Sequence, residues 1–408
     1  MAVPGDVNLK LTINGQDLGQ QGLVVMNMNV YESVLDHHTY ADVVVFDGGD
    51  ILGKQNFSGK EKVEISMDDG SGSPATFKLA MLQNHDLVHT GAVAAKTYQF
   101  RMVSPEFLNA HGKSVNKSYN DQTSNIVKDV VENFWGSEKT VNVEVQTKGK
   151  QRYLAHSKHP HAVIDDLKDR HVSQNYQQDG SCFTLFEKRN GGQQEFMFTT
   201  FEKMMNTQSQ SSVEYTQDPT VGARSTSSAD DYKNILNLHI PSSFYTPYRR
   251  SAPTARSTYN IASGKQQKEQ EQYQDPQLPI SQTPISQSET SQTSGNKDSM
   301  PQRATFIDPA NDKDQTYIAQ TKQYKAAWFA RLTNDRGVME VYFNPQLNVG
   351  EVITIKIPNK GGEGEEKQIS QKVLITRLRT IYRPAGQRPG TTMSVEFIKG
   401  GYDTGVSG

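Results

Sequence analysis

Residues 7–13, VNLKLTI, begin a stretch that runs to Val103 and decides the fold class. Six short runs in it place apolar side chains at every second position: Val7/Leu9/Leu11/Ile13, Val24/Met26/Met28/Val30, Ala41/Val43/Val45, Val63/Ile65/Met67, Phe77/Leu79/Met81 and Tyr98/Phe100/Met102. Polar residues such as Lys10, Asn27, Glu64, Lys78 and Arg101 fall between them. A period of two belongs to a strand with one face buried. Turn chemistry separates the runs, since Asn14-Gly15, Gly48-Gly49 and Asp69-Gly70-Ser71-Gly72 tolerate the positive φ of tight connections. The spacing predicts about a hundred residues of antiparallel, strongly bent sheet or barrel.

Downstream the pattern changes. Ser104-Pro105-Glu106-Phe107-Leu108 combines a cap, a first-turn proline and an early acid, the signs of a short helix that closes the first sheet. Ile126, Val127, Val130, Val131 and Phe134 share one helical face between Gln122 and Trp135, with Asn120 or Asp121 as cap and Gly136 as stop. Val141, Val143 and Val145 predict a strand, and Pro160 opens a helix with Val163, Ile164 and Leu167 inward. Strands over Ser181–Glu187 and Glu195–Phe201 meet at the Asn190-Gly191-Gly192 turn, so 118–205 reads as a compact α+β unit.

Beyond Met205 the composition turns polar, broken by the strand pattern Ile235/Leu236/Leu238/Ile240. Gln266 to Ser299 is rich in Gln and Ser, holds one aromatic (Tyr273), and repeats Pro-Ile-Ser-Gln at 279–282 and 284–287. Such a segment cannot bury a core alone and reads as a strap that orders only against a neighbouring subunit. Tyr317, Ile318, Thr321, Tyr324, Lys325 and Trp328 then recur at helical spacing. Strands are expected over 338–343, 352–357, 372–382 and 392–398. The expected division is 1–117, a first β-barrel; 118–205, an α+β domain; 206–262, an irregular strand-containing connection; 263–312, the low-complexity segment; and 313–408, a helix plus a second β-barrel. The class is mainly β (α+β).

Four hundred and eight residues suffice for two or three domains, yet only 34% are hydrophobic and the mean hydropathy is -0.68. Much of the surface is therefore expected to be exposed, or buried only against other subunits. A formal charge of -2 supplies no global field for nucleic acid or anionic membrane. Cys182 is the single cysteine, in an apolar run, which excludes an intrachain disulfide and reads as a buried thiol. There is no apolar run of membrane-spanning length and no signal-peptide pattern, so a chain made in a cytoplasm and staying soluble is expected.

The densest chemistry is His156, His159 and His161, three imidazoles within six residues. Pro160 interrupts them, and the spacing matches neither H-x-x-x-H on one helix face nor a Cys/His zinc framework. His37-His38 and His111 read as solvent-facing turn residues, and His85 and His89 straddle a strand end. The adjacent pairs Asp165-Asp166 and Asp68-Asp69 read as solvated. Arg377, Arg379 and Arg383, with Arg388 nearby, are the one basic concentration and read as a solvated strand face with Glu neighbours. No catalytic, cofactor-binding or metal-ligating residue is assigned, and an enzyme is not expected.

Taken together, the order of these units resembles the central baseplate hub protein of contractile-tailed bacteriophages. Leu23–Asp47 with Val63–Met102 resembles that family's first tube-type barrel, and 118–205 its α+β insertion. Gln315–Trp328 is similar to the helix before its second barrel. Leu347-Asn348-Val349-Gly350-Glu351-Val352-Ile353-Thr354-Ile355 is similar to its turn into a barrel strand, and Val373–Tyr382 and Met393–Phe397 to its last two strands. The resemblance implies a structural homotrimer in the virion tail baseplate, assembled in the host cytoplasm. Its six barrels would form a pseudo-sixfold ring between the hexameric tail tube protein and the threefold central spike or tail lysozyme protein, with other baseplate or tape-measure proteins nearby. No specific nucleic acid, stable membrane association or cofactor is implied. Because the chain stops soon after the last strand, the spike is expected to be a separate polypeptide. A tail-associated hydrolase using His156, His159 or His161 at a metal site, or another tail-tip adaptor of the same fold, is the alternative.

Overall fold

The computed structural model describes residues 5–52, 59–89, 96–169, 171–175, 179–190, 193–206, 214–217, 233–240, 254–260, 265–271, 302–307, 336–358, 371–384 and 390–399. The N-terminal stretch forms β1 (Asn8–Ile13), β2 (Gln16–Asp17), β3 (Val24–Ser33), β4 (Tyr40–Asp47), β5 (Lys62–Asp68), β6 (Ala75–His89) and β7 (Lys96–Val103). Next come α1 (Pro105–Ala110), β8 (Val115–Asp121), α2 (Thr123–Asp129), β9 (Val141–Val143), β10 (Gln151–Lys158), α3 (Pro160–Lys168), β11 (Phe183–Asn190), β12 (Gln193–Thr200) and α4 (Phe201–Asn206). The remainder supplies β13 (Glu214–Thr216), β14 (Ile235–His239), β15 (Thr254–Asn260), β16 (Lys265–Glu271), β17 (Gln302–Ile307), β18 (Arg336–Tyr342), β19 (Val352–Lys356), β20 (Gln371–Tyr382) and β21 (Thr392–Lys399).

All six predicted N-terminal runs are strands, and the two ends of the chain do not make separate sheets. They join into one sheet of 13 strands, in the order β14-β18-β21-β20-β3-β4-β7-β6-β5-β1-β2, with β19 beside β20 and β13 beside β19. The seam is β20 against β3, antiparallel with Arg377 opposite Ser33 and Tyr382 opposite Met28. Alternation makes the seam work: Met28 and Val30 from β3, Leu378 from β20 and Val43 and Phe100 from the neighbouring strands are all buried in one apolar core. Burial of such side chains stabilises by roughly 1.5–3 kcal/mol each. In β3 the predicted alternation fails at its start. The register slips between Val25 and Asn27, and this bulge turns Val24 and Met26 outward, each 49% exposed. One inserted residue moves everything before it to the opposite face.

A second core lies in the α+β unit. The predicted helix over 122–135 is present as α2 followed by a wider π-helical turn over Val130–Phe134, closed by Trp135 N–H donating to Val130 O at 3.0 Å. The wider turn lets Val130, Val131 and Trp135 all point inward, and Gly136 at φ 62 ends it. The cap position is Gln122 rather than Asn120 or Asp121, although Asp121 accepts from Gln122 N–H at 2.7 Å. Helix α3 buries Val163, Ile164 and Leu167 as expected. Paired strands β8 and β10 were not legible in the sequence.

The predicted helix around 314–332 lies outside the described residues, as do Arg388 and most of the expected strap. Part of that strap is strand: β16 pairs antiparallel with β15, and β17 pairs parallel on the other side. Backbone pairing needs no apolar side chain, so composition does not register it. No helix among the described residues is long and apolar enough to cross a membrane.

Candidate functional site

The feature that organises the molecule is a junction, built on β11. This strand is buried on both faces: Phe183 and Leu185 enter the α+β core, while Phe186 and the neighbouring buried Cys182 enter the core of the large sheet. Its polar side chains therefore have to find partners inside the protein. Thr184 Oγ1 donates to Val34 O, and Glu187 accepts from Thr39 N–H at 2.9 Å and from Ser104 Oγ.

Arg189 makes the widest connection. Its Nε and Nη2 donate to the two oxygens of Glu32 on β3 at 2.9 and 3.3 Å. Nη1 and Nη2 also donate to the carbonyls of Pro345 and Leu347, each at 2.6 Å, in the loop before β19. One buried guanidinium on β11 thus ties the N-terminal strand β3 to the loop before β19, at the C-terminal end of the same large sheet. A fork of fixed donors suits this geometry as an ammonium would not. Burial pushes the Glu32 carboxyl up, against the pull of Arg189.

A second buried ion group sits beside it. Lys139 Nζ donates to Glu106 Oε2 at 2.9 Å and to Glu187 Oε1. Burial works against the charge of Lys139, but Glu187 and Glu106 outweigh it and hold the ammonium above its ordinary range.

The histidines are placed differently from expectation. His156 is exposed on β10, whereas His161, stacked on His159, meets His37 and His38 from the β3–β4 turn. His37 and His38 do not face solvent: His38 is buried against Trp135, at 4.7 Å between ring centroids, and Phe196, at 6.0 Å. A turn residue is solvated only if nothing packs on the turn, and here the α+β unit does. Asp165 and Asp166 are likewise paired, Asp165 with His37 and Lys168 and Asp166 with Lys158 and Tyr153. Although burial opposes it, the hydrogen bond from His37 and the charge of Lys168 hold the Asp165 carboxyl well below the usual range. Asp68 and Asp69 accept from turn amides, as the hairpin pattern implies.

The four clustered imidazoles are arranged for one another rather than for a metal. His38 Nε2 and His161 Nε2 are 2.6 Å apart. Two nitrogens on one tetrahedral zinc stand about 3.3 Å apart, given zinc–nitrogen bonds of about 2.0–2.1 Å. Among the described residues no group of three or more His, Cys, Asp or Glu side chains could hold a metal ion.

The arginine face is solvent-exposed and locally paired. Arg377 Nη1 lies 3.6 Å from Glu396, and Arg379 donates to Asn29 at 3.1 Å with its guanidinium 5.5 Å from the Tyr31 ring. Tyr31 stacks in turn on Tyr40, so aromatic rings do accompany these arginines, supplied by neighbouring strands.

No protein-family profile and no curated protein matches the sequence. Folds are another matter. The 43 kDa tail protein of prophage MuSo2 from Shewanella oneidensis superposes with a TM-score of 0.56 at 10% identity, over 97% of this chain and 98% of that one. This chain has the fold of phage tail proteins. The tail protein from Neisseria meningitidis MC58 shares the fold at a TM-score of 0.58 and 9% identity, over 97% of both chains. An E. coli component of the type VI secretion system, described as structurally similar to the T4 bacteriophage tail proteins gp27 and gp5, shares it at a TM-score of 0.50 and 10% identity, over 96% of this chain and 76% of that one.

Proposed function

We propose that the chain is a structural, non-enzymatic hub of a contractile tail tip. As a homotrimer in the virion baseplate, assembled in the host cytoplasm, it would adapt a hexameric tail tube protein to a threefold spike. The observation that carries this reading is the continuous sheet. Two β regions from opposite ends of the chain are fused at β3 and β20, so each subunit offers two β surfaces held in fixed relation. A sixfold and a threefold partner cannot share an interface unless something presents six similar surfaces on one side and three on the other. Three copies of a chain with two such regions do so. The end-to-end likeness to tail proteins supports the same reading.

The division into a first tube-type barrel over 1–117, an α+β domain over 118–205 and a second barrel within 313–408 belongs to this proposal. A hydrolase at the histidines has no observation in its favour, because His156 stands apart and the clustered nitrogens face each other.

The test is mass photometry of the purified chain, alone and mixed with candidate tail tube and spike proteins from the same source, followed by electron microscopy of the complex. Trimers bearing a tube-like ring on one face are expected. Monomers under every condition, or a complex with a different symmetry, would overturn the hub.

A further inference from the structure

The β3–β4 turn carries His37 and His38, and the start of α3 carries His159 and His161. Hydrogen-bond chemistry decides which of their nitrogens hold protons. His159 Nδ1 accepts the backbone N–H of His161 at 3.4 Å as the cap of α3, so it carries no proton. The 3.3 Å contact between His161 Nδ1 and His159 Nδ1 therefore needs its proton on His161. A neutral His161 then accepts at Nε2, and His38 donates to it from its own Nε2 across 2.6 Å. His38 Nδ1 is left unprotonated, buried and without a hydrogen-bond partner. His37 is the opposite case. Both its nitrogens face acceptors, Leu185 O at 2.8 Å and Asp165 Oδ1 at 3.1 Å.

We propose that this cluster is a proton-operated latch: the neutral His38–His161 contact holds the β3–β4 turn against α3, and a proton added to either ring releases it. A proton on His161 Nε2 would set two donors against each other across the contact. A proton on His38 Nδ1 would create a buried N–H with nothing to accept it, which is costly.

The surroundings disfavour a cation on either ring: Asp165 favours one on His161, but burial, His37 and His159 outweigh it. Lys139 faces His38 from the segment before β9, and its charge is answered by Glu106 of α1 and Glu187 of β11. Lys168 and His37 face His161, and both pair with Asp165. Asp36, exposed in the same turn, acts on Tyr40. Phe107, Trp135 and Phe196 close the remaining sides without charge. Burial and then the neighbouring His37 and His159 hold His161 down to about 4, and burial keeps His38 well below the usual range. Because protons bind the released form more readily, docking is complete above the ordinary histidine value of about 6.5 and is lost as pH falls from there toward 4. The bond from Thr184 to Val34 O contains no titratable group and still ties β11 to the base of the turn, so the release is confined to the turn tip and the start of α3.

Trp135 reports on the latch directly, since its ring stacks on His161 at 4.8 Å. The chain holds two tryptophans, and Trp328→Phe leaves Trp135 alone. Fluorescence of that variant is followed from pH 7.5 to 4. Hydrogen exchange of the unsubstituted chain is compared at pH 7 and 5, after correction for the intrinsic pH effect. A fluorescence transition and at least about tenfold faster exchange over 34–39 and 159–164, with β4 and β7 unchanged, are expected. His38→Phe in the Trp328→Phe background should abolish the fluorescence transition. Equal exchange at both pH values overturns the latch, as does loosening that spreads equally through β4 and β7, or a His38→Phe variant that titrates like its parent. If His38→Phe does not fold, exchange on the unsubstituted chain decides alone. The measurement uses the free chain, so its outcome is independent of the hub.

Discussion

Replacing Arg189 by Ala removes a side chain that bridges β3, β11 and the loop before β19. Arg189 and Glu32 side chains are 5% and 2% exposed, so the substitution leaves a buried carboxylate without its cation. Breaking a buried pair from one side costs about 3–5 kcal/mol. The carbonyls of Pro345 and Leu347 lose their donor as well, at about 1–3 kcal/mol each if water does not refill the space. These terms overlap, and we expect a net loss of about 4–6 kcal/mol, or a fall in Tm of roughly 8–12 °C at about 2 °C per kcal/mol for a large domain. The assay is urea unfolding and calorimetry of Arg189→Ala, Glu32→Gln, Arg189→Met and the Arg189→Met/Glu32→Gln double variant. The double variant should recover at least about 2 kcal/mol relative to the sum of its singles, because it removes both charges. A loss below about 1 kcal/mol for Arg189→Ala, with coupling near zero, would refute the junction as the element holding the units together.

Two other substitutions test the local reasoning. Gly180 and Gly136 both have positive φ, at 64 and 62, but a Cβ at 180 would stand 2.2 Å from the Glu202 carboxyl carbon, whereas at 136 it meets nothing closer than 3.9 Å. Gly136→Ala should cost about 1 kcal/mol, and Gly180→Ala about 2 kcal/mol more, by chemical denaturation; equal costs would mean that the Glu202 contact is unimportant. Lys139→Met strands Glu106 and Glu187, so it should cost about 3–5 kcal/mol at pH 7. A cost below about 1 kcal/mol, measured by thermal melts, would sink the ion-group reading.

The sequence carried the strands of the large sheet well because their alternation is strict: Val43, Val45, Ile65, Phe77 and Phe100 all occupy the buried parity expected of them. Parity says nothing about partners, however. Nothing near Tyr31 announces that β3 pairs with a strand about 350 residues away, so the ends read as two units instead of one sheet. Strands β8 and β10 escaped because their buried residues, Val115, Tyr119, Tyr153 and Ala155, are diluted by outward Lys117, Asn120, Arg152 and the 69%-exposed Leu154, with a bulge near Ala155. For the histidines the local signal pointed the wrong way. His161 finds His37 and His38 across more than 120 residues, while His156, close to it in sequence, is exposed on β10. The one local hint was His37-His38 between Val34 and Thr39, both buried, in a turn too apolar at its base to stand free in solvent.

Strand β15 has a different kind of consequence. Glu271 at the end of β16 is opposite Thr254, and Gln302 at the start of β17 is opposite Ala255. The chain therefore leaves and re-enters the small sheet at the same end of β15, from two strands that flank it, about 10 Å apart. That is the geometry of an insertion point. Because the two ends of that connection leave from flanking strands at one end of β15, a change in its length need not shift the register of either pairing. A recognition tag or a foreign loop spliced at this position would be carried on a ready-made anchor.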